Sequence, residues 1–397
     1  MTAAVALLEV GTGEGAAVRA ARVAAIASQH ADAVDAEGRF PREAVDAMRA
    51  EKLLSIQIPA DLGGEGASMT EIAELCSILG QACAASAMVF AMHQIKLSSL
   101  VEHGVDSDWH RDFMRRIARE QLLLASATTE GGIGGNLRNS ICAIKVEGDT
   151  CTLEKDATVI SYGAHADAIL ITSRSHAEAA SSDQVLTCFL RDQYEIKRTV
   201  EWNTLGMRGT CSDGFLFKGV APAKQILPKP FAEIAAQSML ASSHLLWSGV
   251  WYGIAADAVS RAQAFVRAAA RKSPGAPPPG ALRLAEASSM LQMVKSNVVA
   301  GLKAYEEAKL DADRLSSMAF AVAMNNVKIA SSEMILPIIN HAMLICGIMG
   351  YKNGTPYSLG RHLRDAHSAQ LMISNDRILG NTSTMLLVHK QDTSLLG

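Results

Sequence analysis

Apolar residues follow two different spacings along this chain, and the changes between them predict three regions. Between residues 16 and 120 they recur every three or four positions, which predicts helices. Pro41 near a first turn marks the start of one helix, whose apolar stripe includes Ala44 and Met48. Residues 69–100 carry a long apolar pattern that is also typical of a helix.

Short strand-like runs replace this spacing between residues 121 and 230. Gly, Asp and Asn turns separate the runs, which favours an antiparallel β domain, a barrel or a sandwich. The predicted strands are Leu122–Ala125, Ile141–Lys145, Cys151–Leu153, Thr158–Ile160, Ala168–Thr172, Val185–Leu190 and Gly214–Phe217.

From residue 231 the helical spacing returns. An Ala-rich stretch at 234–270 is followed by a Pro- and Gly-rich linker at 273–280 and by two more helical stretches, at 282–310 and 319–349. We therefore predict an α+β fold. Its parts are an N-terminal α-helical domain (1–120), a middle antiparallel β-barrel or sandwich domain (121–230) and a C-terminal four-helix bundle (231–397).

Composition narrows the class of protein without naming its chemistry. The chain has 397 residues, of which 49% are hydrophobic and 19% charged, as in ordinary globular proteins. A net charge of −3 without a Lys/Arg run argues against nucleic acid as a partner. We expect no signal peptide and no membrane span, because the N-terminus lacks a positive segment and Pro337 interrupts the apolar segment near residues 335–348. Seven cysteines without a CxxC pair or zinc-ligand spacing favour a reduced, cytoplasmic setting.

The first candidate for chemistry is Leu124–Asn136, with the sequence LASATTEGGIGGN. An apolar strand leads into hydroxyl side chains and then into a glycine cluster. Hydroxyls and bare backbone amides suit the polar edge of a flavin or a pyrophosphate, and glycine lets the backbone approach such a ligand. An ordinary Gly-rich turn after a strand has the same pattern, so the neighbouring motifs decide.

Several segments, spread over nearly the whole chain and in the correct order, resemble the motifs of one family. They are Phe40–Gly66, Thr128–Asn136, Val159–Gly163, Leu205–Ser212, Arg271–Gly275, Cys346–Tyr351 and Arg364–Ala366. The second resembles the motif Thr-Glu-Pro-Gly-Ala-Gly-Ser-Asp, and the fourth is close to Leu-Gly-Met-Arg-Gly-Thr. These motifs belong to the acyl-CoA dehydrogenase superfamily of flavoproteins, whose fold related flavin-dependent monooxygenases share.

The resemblance implies a non-covalent FAD between the β domain and the C-terminal helices, and a homodimer or homotetramer in which a neighbouring subunit touches the cofactor. Thr129 matches the threonine that binds the flavin ring, and Ser161 matches a hydroxyl beside it. Arg271 matches an arginine at the pyrophosphate of the partner's FAD, although a solvated helix end explains it equally well. The cofactor contacts so implied are Ser126, Thr128, Thr129, Gly134, Gly135, Ile160, Ser161, Arg271, Ser374 and Asn375.

The residue that should remove a proton from the substrate is missing from the expected places. Family dehydrogenases carry a Glu nine residues after the Arg of Arg-Asp-Ala, and that position is Ile373 here. Other members carry it on the first long C-terminal helix, where the ungapped register gives Ser243. Asp376 is the nearby carboxylate and our candidate base, with a surface ion pair to Arg377 or a helix cap as the alternative.

Three hypotheses about function follow. The first is an FAD-dependent oxidoreductase acting on an acyl-CoA or carrier-protein thioester in specialised metabolism, with an electron-transfer partner. The second is a flavin-dependent oxygenase that uses O2, because such relatives need no α-proton base. The third is a non-catalytic partner subunit. His93 and His367 are further candidate bases, although a single His on a helix more often serves packing.

Overall fold

The structure is a computed structural model that describes residues 14–132, 136–272, 275, 277–390 and 393–394. Helices, strands and again helices follow one another in the order that the sequence predicts. The helices are α1 (Ala16–Glu37), α2 (Arg42–Ala50), α3 (Met69–Ala82), α4 (Ala84–His103), α5 (Asp108–Glu120), α6 (Phe231–Ile234), α7 (Leu240–Lys272), α8 (Ala281–Ala308), α9 (Ala312–Leu315), α10 (Met318–Cys346), α11 (Ile348–Tyr351), α12 (Gly360–Ala366), α13 (Ser368–Leu371) and α14 (Asn375–Leu386). The strands are β1 (Leu124–Ala127), β2 (Lys145–Glu147), β3 (Thr150–Ala157), β4 (Ala168–Arg174), β5 (Gln184–Leu190), β6 (Tyr194–Val200) and β7 (Gly214–Pro222).

The strands form two sheets. One has the order β1-β4-β5 and the other the order β2-β3-β7-β6. Pairing is antiparallel except between β1 and β4, which run parallel. In β3 buried and exposed residues alternate strictly, so one face of its sheet covers the core.

The strand prediction needs correction in three places, the first of which is Ile141–Lys145, where only Lys145 lies in β2. Thr158–Ile160 is an irregular segment after β3, where the N–H of Ile160 donates to the carbonyl of Asp213. The strand β6 was not predicted, because most of its residues are polar and exposed and only Tyr194 is buried. It pairs with β7 at the edge of its sheet, where one-sided pairing does not require an apolar run.

Long helices of the two helical parts pack against each other. Helices α3 and α4 lie against α7, and α7 packs in turn against α8 and α10. The contact between α3 and α7 is close because Gly80 meets Val250 and Gly253, where an added Cβ would lie 2.6 Å from the Val250 carbonyl oxygen. Backbone contact of this kind needs small residues, which explains the Ala-rich pattern of these helices.

Helix α10 is the most apolar of the described helices. By length and composition it could cross a membrane, but half of its most apolar window is buried inside the protein against α7 and α8. A buried core helix of a globular protein can have the same length and apolar composition. Pro337 lies within it without ending it.

A π-helical turn, Ala235–Met239, joins α6 to α7. Serines at the start of α7 donate their hydroxyls to backbone carbonyls of this turn: Ser242 donates to Ser238 at 2.7 Å and Ser243 to Met239 at 2.5 Å. Such a turn widens the helix locally and is common at functional sites. It brings Met239 and Ser243 to the wall of the cavity described next.

Candidate active site

A cavity of about 650 Å³ lies where the β domain meets α4, the start of α7 and the segment from α12 to α14. This volume is in the range of cofactor and ligand sites. Most of its wall is apolar, and the polar groups are confined to a few places. The lining residues include Lys96, Ser126, Thr128, Thr129, Val159, Ser161, Trp202, Met207, Thr210, Ser212, Met239, Ser243, Trp247, Arg364, His367, Ile373, Ser374 and Arg377.

The hydroxyl side chains of the β domain form one wall. Ser126 lies in β1, and Thr128 and Thr129 follow its end. The hydroxyl of Thr129 donates to the carbonyl of Val159 at 3.1 Å, which ties the loop after β1 to the segment after β3. Two motifs that are thirty residues apart in sequence thus share one side of the cavity.

Ser161 stands at the end of a chain of hydroxyls. Ser212 donates to Ser161 at 2.8 Å, and the Thr210 hydroxyl, 2.8 Å from that of Ser212, donates to the Met207 carbonyl at 2.9 Å. A hydroxyl has one proton and two lone pairs, so with Ser212 as donor Ser161 keeps its own proton for a ligand. The sequence argument had singled out Ser161 but not Thr210 or Ser212 behind it.

Strained backbone concentrates around this wall. Tyr162, Met207, Cys211 and Ile373 have φ values of +43°, +52°, +44° and +46°, in the left-handed region that is costly for residues other than glycine. Backbone outliers of this kind persist where the surrounding structure holds them, and they cluster at functional sites.

Two of the family motifs meet over the cavity. The N–H of Met207 donates to the carboxylate of Asp365 at 2.6 Å, and burial raises the pKa of Asp365 to about 6. An added Cβ at Gly206 would lie 2.2 Å from the carbonyl oxygen of Arg364, so only glycine allows this approach. Arg364 pairs with Asp35 of α1. Leu-Gly-Met-Arg-Gly-Thr and Arg-Asp-Ala therefore position each other.

The two positions at which family members carry the catalytic Glu both line the cavity. Neither position has a carboxylate in this chain. They are Ile373 and Ser243, as the register argument expects. Among the described lining residues there is no Asp or Glu, whereas Lys96, Arg364 and Arg377 are cationic. The described wall therefore carries basic side chains and no acidic ones, although the charge of Arg364 is offset by Asp35.

Asp376 and Asn375 do not reach the cavity of their own chain. Asp376 is exposed in the first turn of α14 and is not among the lining residues, because that turn directs it to the surface. Asn375 is buried, and its side-chain oxygen accepts from the ammonium of Lys328 at 2.5 Å. Lys328 also donates to the carbonyl of Ile373 at 3.0 Å, so this cluster holds the strained Ile373 in place.

The other predicted cofactor contacts divide into four groups. Ser126, Thr128, Thr129, Ser161 and Ser374 line the cavity. Ile160 does not, because its side chain is fully buried in the hydrophobic core. Arg271 is exposed at the C-terminal end of α7, away from the lining residues. Gly134 and Gly135 lie outside the described residues.

The two histidine candidates differ in their surroundings. His93 is buried, and its Nδ1 accepts from the N–H of Leu124 at 3.0 Å while its Nε2 faces the carbonyl of Leu54 at 2.6 Å. These contacts require a neutral ring with its proton on Nε2, and burial lowers the pKa of His93 to about 4. It is a packing residue, whereas His367 is exposed at the cavity wall.

The sequence argument missed Lys96. It lies in α4 with 4% of its surface exposed, and burial lowers the pKa of its ammonium to about 7. Its Nζ is 2.8 Å from the sulfur of Met239. The available signal was a lysine within the long apolar pattern of the helix predicted at residues 69–100.

A flavin fits this set of residues. Hydroxyls from Ser126, Thr128 and Ser161 offer hydrogen bonds to a polar edge, and the rest of the wall is apolar. Trp247 lines the cavity, and its buried indole N–H has no hydrogen-bond partner within the described chain. The hydroxyl groups and the apolar wall, and not this enclosed N–H, are therefore what fits a flavin.

Comparisons with known proteins agree with this geometry. Residues 16–121 match the model of the acyl-CoA dehydrogenase N-terminal domain, and residues 234–381 match that of the acyl-CoA dehydrogenase C-terminal domain. The chain belongs to the acyl-CoA dehydrogenase family. It is accordingly an oxidoreductase of that family with a flavin as its cofactor.

Individual relatives are distant. A cyclohex-1-ene-1-carbonyl-CoA dehydrogenase of Syntrophus aciditrophicus is 24% identical over 354 residues, which cover 87% of this chain and 82% of the relative. An enzyme of the same name from Geobacter metallireducens is 25% identical over 198 residues, 49% of this chain and about half (51%) of the relative. The dibenzothiophene monooxygenase TdsC of Paenibacillus sp. A11-2, solved with FMN bound, has a TM-score of 0.82 at 18% identity and covers 95% of this chain and 98% of its own. That last likeness shows a shared fold.

Proposed function

We propose that this chain is a flavin-dependent oxygenase, rather than a dehydrogenase of acyl thioesters. The observation that carries the proposal is the absence of a carboxylate among the described residues of the cavity wall, including both family positions, Ile373 and Ser243. Dehydrogenation next to a thioester needs a base within hydrogen-bond reach of the α-proton. Oxygen transfer needs no such base.

When bound, a flavin supplies two-electron redox chemistry and, once reduced, a reaction with O2. The residues of this chain would bind and shield it. Thr129 and Ser161 would present hydroxyls from the β domain, and the apolar side chains of Met88 and Met92 from α4 and of Trp247 from α7 would exclude water.

The residues that would bind the substrate are mainly apolar, so we propose a largely apolar substrate. The wall includes Met88, Met92, Ile95, Leu371 and Met372. Unbranched methionine side chains adapt to varied ligand shapes. An FAD is the flavin that we propose on the family resemblance, and FMN is the alternative.

The test uses the purified flavoprotein without knowledge of its substrate. The bound flavin is reduced by light or dithionite under argon, then mixed with air-saturated buffer, and its absorbance is followed. We expect rapid reoxidation by O2, and we expect no bleaching of the oxidised flavin by a panel of short, medium and aromatic acyl-CoA esters under argon. Anaerobic bleaching by any ester of the panel would identify a dehydrogenase and refute the oxygenase.

The second candidate is an acyl-CoA dehydrogenase, which the curated relatives favour, since the two named above are both acyl-CoA dehydrogenases. In that case an external electron acceptor would be required, and the product would contain no oxygen atom from isotopically labelled O2. Mass spectrometry of the product distinguishes the two reactions directly.

We also propose a homodimer or homotetramer. Helices α8, α10 and α14 expose large apolar side chains, among them Leu282, Leu344 and Leu386. Apolar surface of this kind marks contacts with other chains. Light scattering of the purified protein gives the molar mass and would refute the proposal if it showed a monomer.

A further inference from the structure

Lys96 differs from the other cations at the cavity because the described chain offers its charge no carboxylate. Arg364 is paired with Asp35, and Arg377 lies on the exposed first turn of α14. Lys96 is almost completely buried, and its one hydrogen bond within the described chain runs to the sulfur of Met239. A thioether is a weak acceptor, and an ammonium has three donors to satisfy.

Such a group is expensive to keep in a folded protein. Burying an ammonium without a partner costs free energy, which is why buried lysines normally have a carboxylate or lose their proton. Methionine or leucine would fill the same space at α4, whose neighbours here are Met92, Ile95 and Met239. The lysine therefore has a use that its packing does not explain, and its position at the cavity indicates a bound molecule.

We propose that Lys96 recognises one acidic oxygen, either a carboxylate or a phenolic hydroxyl, on the largely apolar ligand that fills the cavity. The partner that the fold does not supply is then supplied by the ligand. An ammonium–oxyanion contact in an apolar, water-poor site is a strong, charge-assisted hydrogen bond.

The two kinds of acidic oxygen differ in whether a proton is transferred to Lys96 on binding. A carboxylate arrives already ionised and meets the protonated lysine. A phenol arrives neutral: its O–H bond breaks, an N–H bond forms on the neutral amine of Lys96, and the ligand is held as the oxyanion. Because burial lowers the pKa of Lys96 to about 7, both forms of the amine are present at neutral pH.

The surroundings favour an apolar ligand body beside this oxygen. Apolar side chains from three elements line the cavity together with Lys96: Met92 and Ile95 from α4, Leu240 from α7 and Leu371 from α13. The inference depends on this cavity and not on the reaction with O2, so it can fail while the proposed oxygenase activity stands, and the reverse.

The test is a binding experiment on the flavin-loaded protein at pH 7, with no turnover. The probes are 2-naphthoate and 2-naphthamide, which share a shape but differ in charge. The variant is Lys96→Met, with Lys96→Leu as a second replacement in case the first fails to fold. Lys295→Met, at an exposed position of α8, is the matched control for the loss of one positive charge. Calorimetry gives the dissociation constants, and thermal melting confirms that each variant is folded.

We expect the wild type and Lys295→Met to bind naphthoate at least about tenfold more tightly than naphthamide. In Lys96→Met and Lys96→Leu the two probes should bind within about twofold of each other. Absence of naphthoate binding to the wild type, equal binding of the two probes, or a preference that persists without Lys96 would each overturn the inference.

A third probe distinguishes the two sources of the acidic oxygen. Bound 2-naphthol shows by its absorption spectrum whether it is neutral or ionised. Naphtholate absorption at pH 7 in the wild type, lost in Lys96→Met, supports a phenolic ligand. Neutral naphthol together with a Lys96-dependent preference for naphthoate supports a carboxylate.

Discussion

The hydroxyl of Ser212 donates to the hydroxyl of Ser161 at 2.8 Å, and this contact orients Ser161 towards the cavity ligand. We expect Ser161→Ala to weaken flavin binding by about tenfold, because one hydrogen bond to the cofactor is lost. Ser212→Ala should weaken it less, since Ser161 remains but loses its orientation. Fluorescence titration of the flavin-free protein measures both. Ser383→Ala, on an exposed face of α14, is the control, and equal affinities in all four proteins would contradict the assignment.

Gly206 approaches the backbone of Arg364 so closely that no side chain fits between them. We expect Gly206→Ala to lower the free energy of unfolding by about 2 kcal/mol or more, through displacement of the loop that carries Met207. Gly380→Ala makes the same chemical change in α14, where an added Cβ meets nothing within 4 Å. That variant should be stabilised by about 0.5–1 kcal/mol, because alanine favours helix. Urea denaturation measures both, and a similar loss in the two variants would count against the close approach.

Replacing Lys96 by an apolar residue should stabilise the folded protein, although the replacement removes the ammonium that we propose for binding the ligand. Burial lowers the pKa of the folded lysine from 10.5 to about 7, so between these values the unfolded chain holds more protons and stability rises with pH. Below pH 7 the wild type bears the full cost of the buried charge, and at pH 7 it bears most of it. We expect Lys96→Met to gain up to about 4 kcal/mol at pH 7, and this gain to shrink towards pH 10. Melting curves across this range check it, and a variant that is less stable at pH 7 would refute it.

The buried ring of His93 makes stability depend on acid. Because burial lowers its pKa from 6.5 to about 4, the unfolded chain takes up the proton first as the pH falls. The contribution of His93 is therefore complete above pH 6.5 and is lost progressively towards pH 4. We expect His93→Gln, which can still donate and accept, to lose less stability than the wild type between pH 7 and pH 5. Urea midpoints at the two pH values measure this difference, and identical losses would contradict it.

The sequence predicted the order of the parts because helical and strand spacings are local properties. Helices α7, α8 and α10 lie close to their predicted ranges, whereas the predicted helical range 69–100 is divided at Cys83 into α3 and α4. The strand β6 was missed because it is an edge strand with polar, exposed residues, and Thr158–Ile160 was taken for a strand because it is apolar. Whether a short apolar segment finds a pairing partner depends on tertiary contacts.

The sequence predicted those residues of the candidate site that lie in or are counted from the family motifs. Thr129 and Ser161 reach the cavity, and so do Ile373 and Ser243, where a base was sought. Lys96 was missed for a physical reason. Nearly every residue of α4 is buried, so the sequence does not indicate which side of this helix faces a cavity and which faces the core. Asp376, in contrast, was predicted in the site but does not line the cavity. It is close to Ile373 in sequence, but its side chain is exposed on the other side of the turn.

The π-helical turn at residues 235–239 also affects how this chain should be compared with its relatives. A π turn accommodates an extra residue, and in an α-helix each residue accounts for a rotation of about 100°. In a relative without the π turn, the helix after this point is rotated. The residue that faces the ligand there would then be one that aligns with a neighbour of Ser243 and not with Ser243 itself. Gain or loss of a functional side chain on α7 could thus arise by a single-codon insertion or deletion, with no change in the residues themselves. Searches for active-site substitutions in this family would then need alignments that permit a gap within this helix.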